Sequence, residues 1–96
     1  MLVLVTYDVS TESAAGRKRL RDVARACVAH GQRVQNSVFE CLLTEAQFVQ
    51  LRHTLSQLID PDKDSLRFYA LGNHYQSRIT HIGARSAYAR EETLLL

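Results

Sequence analysis

Asp8 is the residue whose type and position most favour chemistry in this chain. It ends an apolar run over Met1–Tyr7, and three candidates for a helix cap follow it, Ser10, Thr11 and Ser13. The dipole and free N–H groups of a helix N-terminus stabilise a carboxylate anion at such a junction. One or two carboxylates with waters can hold Mg²⁺, and a two-fold dimer would bring a second Asp8 to the same site. The other interpretation is that Asp8 only caps the turn between strand and helix.

Basic residues are concentrated in the helix expected after Asp8. The segment Arg17–Arg33 has six basic residues and one acid, a net charge of +5, although the whole chain has only +2. Ten of the twelve cations are arginines, whose forked guanidinium matches phosphate oxygens well. The spacing of four residues places Arg17, Arg21 and Arg25 on one ridge of the helix. Such a ridge is either a surface that binds phosphate groups or simply a solvated face of the helix. The candidate nucleic-acid-binding residues are Arg17, Lys18, Arg19, Arg21, Arg25 and Arg33.

The common motif-based sites are missing from the sequence. There is no glycine-rich phosphate loop, no serine-hydrolase motif and no paired Cys/His spacing for zinc. Cys27 and Cys41 do not form a CxxC pair and are expected to be small buried residues.

No apolar run approaches the ~20 residues of a membrane span, and Met1–Val5 is too short for the apolar region of a signal peptide. We therefore expect a cytoplasmic protein with no membrane partner.

The apolar periodicity predicts an α+β domain with an antiparallel sheet and two helices on one face. The pattern becomes a ferredoxin-like βαββαβ sandwich if the extended stretch around Asn36 holds two strands joined by a bend. Residues 1–84 would form this domain, and residues 85–96 a tail that docks on its own fold or on a second subunit. The predicted elements are a strand over 1–7, a helix over 12–30 ended by a left-handed Gly31, extended structure over 33–43, a helix starting at the capping box Thr44–Gln47 and ending before Pro61, a strand over 65–71 and a last short strand over 78–82.

Two segments carry a family resemblance. The strand end Tyr7-Asp8 and the motif Arg33-Val-Gln-Asn-Ser-Val-Phe39 together resemble the CRISPR-associated protein 2 family, small proteins of the machinery that acquires CRISPR spacers. The pairs Arg19/Arg21 and Ala26/Cys27 and the stretch 60–83, with Asp64-Ser-Leu-Arg67 and Leu71-Gly-Asn73, extend the resemblance, which is closest to variants of subtype I-C systems.

The resemblance implies a ferredoxin-like fold that forms a two-fold dimer and carries an extra C-terminal strand. Asp8 matches the family's metal position for Mg²⁺ or Mn²⁺, with Tyr7 as its neighbour. Arg33 and Phe39 match a motif linked with activity, although a strand phenylalanine is also an ordinary core residue. Arg19 and Arg21 fall near the helix arginines of the family.

The resemblance also implies a metal-dependent endonuclease that takes part in the integration of new spacer DNA. Its partners would be a second copy of the chain, the CRISPR integrase subunit (CRISPR-associated protein 1), and duplex DNA or single-stranded RNA. In that hypothesis two Asp8 carboxylates hold a cation that polarises the scissile phosphate and activates a water. The alternative is a non-enzymatic adaptor that binds DNA and bridges integrase subunits, with the 85–96 tail on the dimer partner or the integrase. A small-molecule sensor is a third class without specific support.

Overall fold

The first strand of the chain lies in the interior of the sheet. The computed structural model describes residues 1–83, and its elements are β1 (Leu2–Asp8), α1 (Ala14–Val28), β2 (Gln32–Gln35), β3 (Val38–Leu42), α2 (Glu45–Leu58) and β4 (Ser65–Gly72), followed by a 3₁₀ turn at Gln76–Arg78. The strand β1 pairs antiparallel with β3 on one edge and with β4 on the other. The sheet order is therefore β2-β3-β1-β4.

The extended stretch in the middle of the chain does hold two strands. β2 and β3 are joined by a turn at Asn36–Ser37, and their register shifts between Arg33 and Gln35. Within residues 1–83, the four-residue strand β2 lies at the edge of the sheet and pairs with β3 alone. The predicted ferredoxin-like βαββαβ plan is therefore confirmed.

Both helices cover one face of the sheet and form a single core with it. The buried side chains come from β1, α1, β3 and α2, and α1 also contacts α2. They include Val3, Val5, Tyr7, Val23, Cys27, Phe39, Cys41, Leu51 and Leu55. Burial raises the pKa of the Cys27 thiol to about 12 and that of the Cys41 thiol to about 11. Both cysteines are thus buried as predicted, and neither supplies a thiolate nucleophile at neutral pH.

The sequence identified the cap of α2 and included Ser13 among three candidate caps of α1, but it placed α1 over residues 12–30, whereas the helix spans Ala14–Val28. Ser13 Oγ accepts the N–H of Gly16 at 3.0 Å, and Thr44 forms the predicted capping box with Gln47. The α1 helix ends at Ala29 with right-handed backbone, and Gly31 has no positive φ. A Cβ on Gly31 would collide with Cys41 Sγ and the Glu40 carbonyl oxygen. Glycine is needed there because the chain passes close to β3, a long-range contact that the sequence does not reveal.

The predicted strand over 78–82 is wrong. Arg78 belongs to the 3₁₀ turn, and residues 79–83 have no regular secondary structure. A strand needs hydrogen-bonding partners, and within the described part of the chain this segment pairs with no other strand. The predicted tail at 85–96 lies outside the described residues. Among residues 1–83, no helix has the length and apolar character required to cross a bilayer.

Candidate metal and nucleic-acid site

Asp8 is the exposed last residue of β1, and it points away from the core. Val3, Val5 and Tyr7 face the helices, so alternation places Leu4, Thr6 and Asp8 on the opposite face of the sheet. The ladder partner of Asp8 is Ser65, the first residue of β4. The carboxylate is therefore accessible at the end of a central strand.

The sheet face that carries Asp8 is open in the single chain. Leu42 and Tyr69 on this face are 59% and 40% exposed, whereas Leu4 and Thr6 are half-buried. The continuous apolar run of β1 is typical of a strand that is buried on both faces. A single chain covers only the face that the helices pack against.

Tyr7 and Phe39, which the family resemblance links with activity, lie on the other face of the sheet from Asp8. Their rings stack at 6.1 Å between centroids, and Phe39 has no exposed surface. The Arg33 guanidinium lies over the Phe39 ring, 5.1 Å from its centroid. Burial, and after it Cys27, raises the pKa of the Tyr7 phenol, while Arg33 opposes that shift. The structure therefore groups Tyr7, Arg33 and Phe39 together, but it does not group them with Asp8.

Arg19 is separated from the other helix cations by its contact with Asp64. Its Nε donates to Asp64 Oδ2 at 2.8 Å and its Nη2 to Oδ1 at 3.4 Å. The Asp64 side chain is fully buried, and it also accepts the backbone N–H groups of Ser10 and Asp60 at 3.0 and 2.8 Å. Arg19 thereby connects α1 to the loop before β4, and its proposed role in binding nucleic acid stays a prediction.

Asp64 makes the stability of the fold depend on pH in the acid range. The Arg19 guanidinium, followed by the N–H groups of Asp60 and Ser10, holds the pKa of this carboxyl at about 2, against an ordinary value of 3.8. Because the folded-state pKa is the lower one, the stabilisation is complete above about pH 4 and is lost as the pH falls towards about 2. We expect the difference in free energy of unfolding between the parent and Asp64→Asn to shrink over that window. Urea titrations from about pH 2 to pH 6 measure it, and a constant difference would contradict the assignment.

Three arginines of α1 remain solvent-exposed on one ridge. Arg17, Arg21 and Arg25 are all exposed, and Arg17 donates to the Thr11 carbonyl at 3.2 Å, near the start of the helix. Lys18 instead pairs with Asp22 at 2.7 Å, and this contact is the main cause that lowers the pKa of Asp22. The predicted ridge of three arginines is therefore exposed to solvent. The charge of Lys18 is partly neutralised by Asp22.

The donor chemistry of Asp8 fits a hard divalent cation, but residues 1–83 alone form no metal-binding cluster around it. Within these residues no three His, Cys, Asp or Glu side chains lie close enough to hold a metal ion together. Mg²⁺ accepts one or two carboxylates and keeps several waters. A complete site at Asp8 therefore requires oxygen ligands beyond those of residues 1–83.

Sequence reasoning missed Asp64 as an organising residue. In the sequence Asp64 is only the last residue of an acidic, turn-forming segment, Asp60-Pro-Asp-Lys-Asp64. The available signals were an acid directly before β4 and an arginine, Arg19, two positions away from the Arg17/Arg21 ridge. At 100° per residue Arg19 points roughly 160° away from that ridge, so a separate partner for it could have been expected.

Comparisons with known proteins agree with this geometry. The family model for CRISPR-associated protein Cas2 matches residues 1–79. The CRISPR-associated endonuclease Cas2 of Halalkalibacterium halodurans is 55% identical over 95 residues, covering 99% of each chain. The CRISPR-associated endoribonuclease Cas2 of Chlorobaculum tepidum is 56% identical over the full length of both. The crystal structure of Streptococcus pyogenes Cas2 superposes with a TM-score of 0.75 at 61% identity, covering 86% of this chain and 100% of that one. The chain therefore belongs to the CRISPR-associated protein Cas2 family.

Proposed function

We propose that this protein is a metal-dependent endonuclease that takes part in the integration of new CRISPR spacer DNA. The position of Asp8 carries the proposal: it is an exposed carboxylate at the end of a central strand, on a sheet face that the helices leave open. Relatives that match nearly the whole chain are named as an endonuclease and as an endoribonuclease. Either DNA or RNA is therefore a reasonable substrate class.

A second copy of the chain would complete the site. The open sheet face presents apolar side chains at Leu42 and Tyr69 beside polar Thr6 and Asp8. Packing two such faces about a two-fold axis buries this apolar surface and brings two Asp8 carboxylates together. The CRISPR integrase subunit (CRISPR-associated protein 1) is the proposed further partner of this dimer.

Two Asp8 carboxylates would hold one Mg²⁺ or Mn²⁺ with waters. The cation, when bound, supplies polarisation of the scissile phosphate and a bound water of lowered pKa. The chain itself orients the nucleic acid through Arg17, Arg21 and Arg25, whose guanidinium groups can contact backbone phosphates without reading sequence.

The adaptor remains a second candidate because a specific observation favours it. Among residues 1–83, Asp8 belongs to no cluster of three His, Cys, Asp or Glu side chains that could hold a metal ion. A basic helix on a dimer could instead serve to hold duplex DNA and space integrase subunits. Under that candidate, metal binding at Asp8 is dispensable.

Metal stoichiometry tests the proposed site without relying on cleavage. Titration of the metal-free protein with Mn²⁺, followed by the EPR signal of the free ion, should show one ion bound per two chains. Asp8→Asn should lose this binding, because a neutral amide is a much weaker ligand for a hard cation. Asp62→Asn is the matched control, since it removes one exposed carboxylate from the loop before β4. Unchanged Mn²⁺ binding in Asp8→Asn would refute the site.

A further inference from the structure

We infer that Asp64 and Arg19 are positioning residues that hold the turn after Asp8, and so fix the orientation of the Asp8 carboxylate. This inference rests on the proposed metal role of Asp8. Arg19 lies on α1 and Asp64 lies in the loop before β4. Neither side chain is on the open face of the sheet that carries Asp8.

The hydrogen bonds of Asp64 converge on the segment that follows β1. Its Oδ1 accepts the N–H of Ser10 at 3.0 Å, and its Oδ2 accepts the Arg19 Nε and the Asp60 N–H, each at 2.8 Å. One buried carboxylate therefore joins the β1–α1 turn, helix α1 and the loop before β4. Arg19 makes a second, longer contact with that carboxylate, from Nη2 to Oδ1 at 3.4 Å.

Asp8 is held from both sides by this arrangement. Ser10, which Asp64 binds, lies two residues after Asp8, and Ser65, which follows Asp64, is the ladder partner of Asp8. The backbone on either side of the Asp8 side chain is thus tied to the same carboxylate. Orientation matters here because a cation shared by two carboxylates needs both oxygens in place at once.

Gly16 provides an independent constraint on the same turn. A Cβ at position 16 would collide with the carbonyl oxygen of Ser10, so the first turn of α1 packs directly on this residue. The N–H of Ser10 is therefore hydrogen-bonded to Asp64. The carbonyl oxygen of Ser10 lies so close to Gly16 that no side chain fits there. Two substitutions at unrelated positions can therefore disturb the same turn.

The loop before β4 is closed mainly by bonds that do not involve the Asp64 side chain. The backbone N–H groups of Lys63 and Asp64 both donate to the Asp60 carbonyl, at 3.0 and 2.7 Å, and the N–H of Asp62 donates to Asp60 Oδ1 at 3.0 Å. The Asp64 carboxylate adds one bond within the loop, from the Asp60 N–H at 2.8 Å. Its other partners, Ser10 and Arg19, lie 54 and 45 residues away along the chain.

The test compares Asp64→Asn and Gly16→Ala with the control Asp62→Asn in the full-length protein. Asp64→Asn removes the charge that Arg19 binds, and Gly16→Ala displaces the Ser10 carbonyl without touching Asp64. If Asp64→Asn does not fold, Arg19→Lys takes its place. This variant keeps the positive charge but cannot make the two guanidinium hydrogen bonds to Asp64. Circular dichroism selects the folded variants. Two quantities are then measured on them: hydrogen exchange of the Ser10 amide by NMR without metal, and the Mn²⁺ dissociation constant by EPR.

We expect both variants to exchange the Ser10 amide at least about 10-fold faster and to bind Mn²⁺ at least about 10-fold more weakly, as is typical when a ligand loses its supporting hydrogen bonds. Asp62→Asn should match the parent in both. Folded variants that bind Mn²⁺ like the parent would overturn the inference while leaving the proposed function in place. If the parent protein shows no Mn²⁺ binding that depends on Asp8, the proposed function fails. Asp64 and Arg19 then have no metal ligand to orient, and the inference fails with it. Hydrogen exchange of the Ser10 amide would in that case report only whether Asp64 stabilises the turn.

Discussion

Replacing Phe39 by alanine is expected to lower the free energy of unfolding by about 3–5 kcal/mol, the usual cost of removing a buried phenylalanine. Phe39 has no exposed surface, stacks on Tyr7 and lies beneath the Arg33 guanidinium. Its truncation leaves a cavity beside Tyr7 and Arg33. Since the free energy of unfolding of such a domain is about 5–15 kcal/mol, the substitution should remove a large part of the stability.

Urea unfolding of Phe39→Ala, Phe39→Leu and the parent measures this cost. Val49→Ala is the matched control, because Val49 is 56% exposed on α2 and its truncation should cost much less. Phe39→Leu should retain most of the stability and, in its folded fraction, the cleavage activity of the parent. A Phe39→Leu protein that is stable but inactive would instead assign Phe39 a direct role in the reaction.

Neutralising the exposed α1 ridge is expected to weaken duplex binding strongly. The triple variant Arg17→Gln, Arg21→Gln, Arg25→Gln removes three candidate phosphate contacts. Each such contact contributes about 0.9 to the slope of log K against log salt, so the slope should fall by about 3 and the affinity by roughly 10²–10³-fold near 0.1 M salt. The loss should be similar for unrelated duplex sequences, because phosphate contacts carry no sequence information.

Salt-dependent binding curves for the parent and the triple variant measure both quantities. Arg52→Gln is the control: Arg52 lies on α2, where its guanidinium stacks on Phe48 at 4.6 Å. Its loss should leave the slope nearly unchanged. An unchanged slope in the triple variant would show that α1 does not face the nucleic acid.

The elements that local chemistry specifies could be predicted from the sequence. The apolar run over Met1–Tyr7 located β1, and the Thr44–Gln47 box located the start of α2. The bend considered around Asn36 corresponds to the turn between β2 and β3. Asp8 could be singled out because a carboxylate between a strand and a helix is itself a local pattern. Its exposure and its position on the open sheet face agree with that interpretation.

The remaining features depend on contacts between distant parts of the chain. Nothing near Gly31 reveals that its backbone approaches Cys41, and nothing near Arg19 reveals Asp64, 45 residues away. The strand expected over 78–82 had suitable residues but no partner in the described chain. The resemblance linked Tyr7 and Phe39 with activity, and only the packing shows that both rings lie against each other on the sheet face opposite to Asp8.

The most direct test of the central claim is a cleavage assay of the parent beside Asp8→Ala. Labelled single-stranded RNA and double-stranded DNA are incubated with each protein in Mg²⁺ or Mn²⁺, with a chelator as control. The proposed function predicts that the parent cleaves at least one substrate, that the chelator stops it, and that Asp8→Ala is slower by at least about 100-fold. Equal cleavage by the two proteins, or none by the parent, would contradict a metal-dependent nuclease at Asp8 and leave the DNA-binding adaptor as the function.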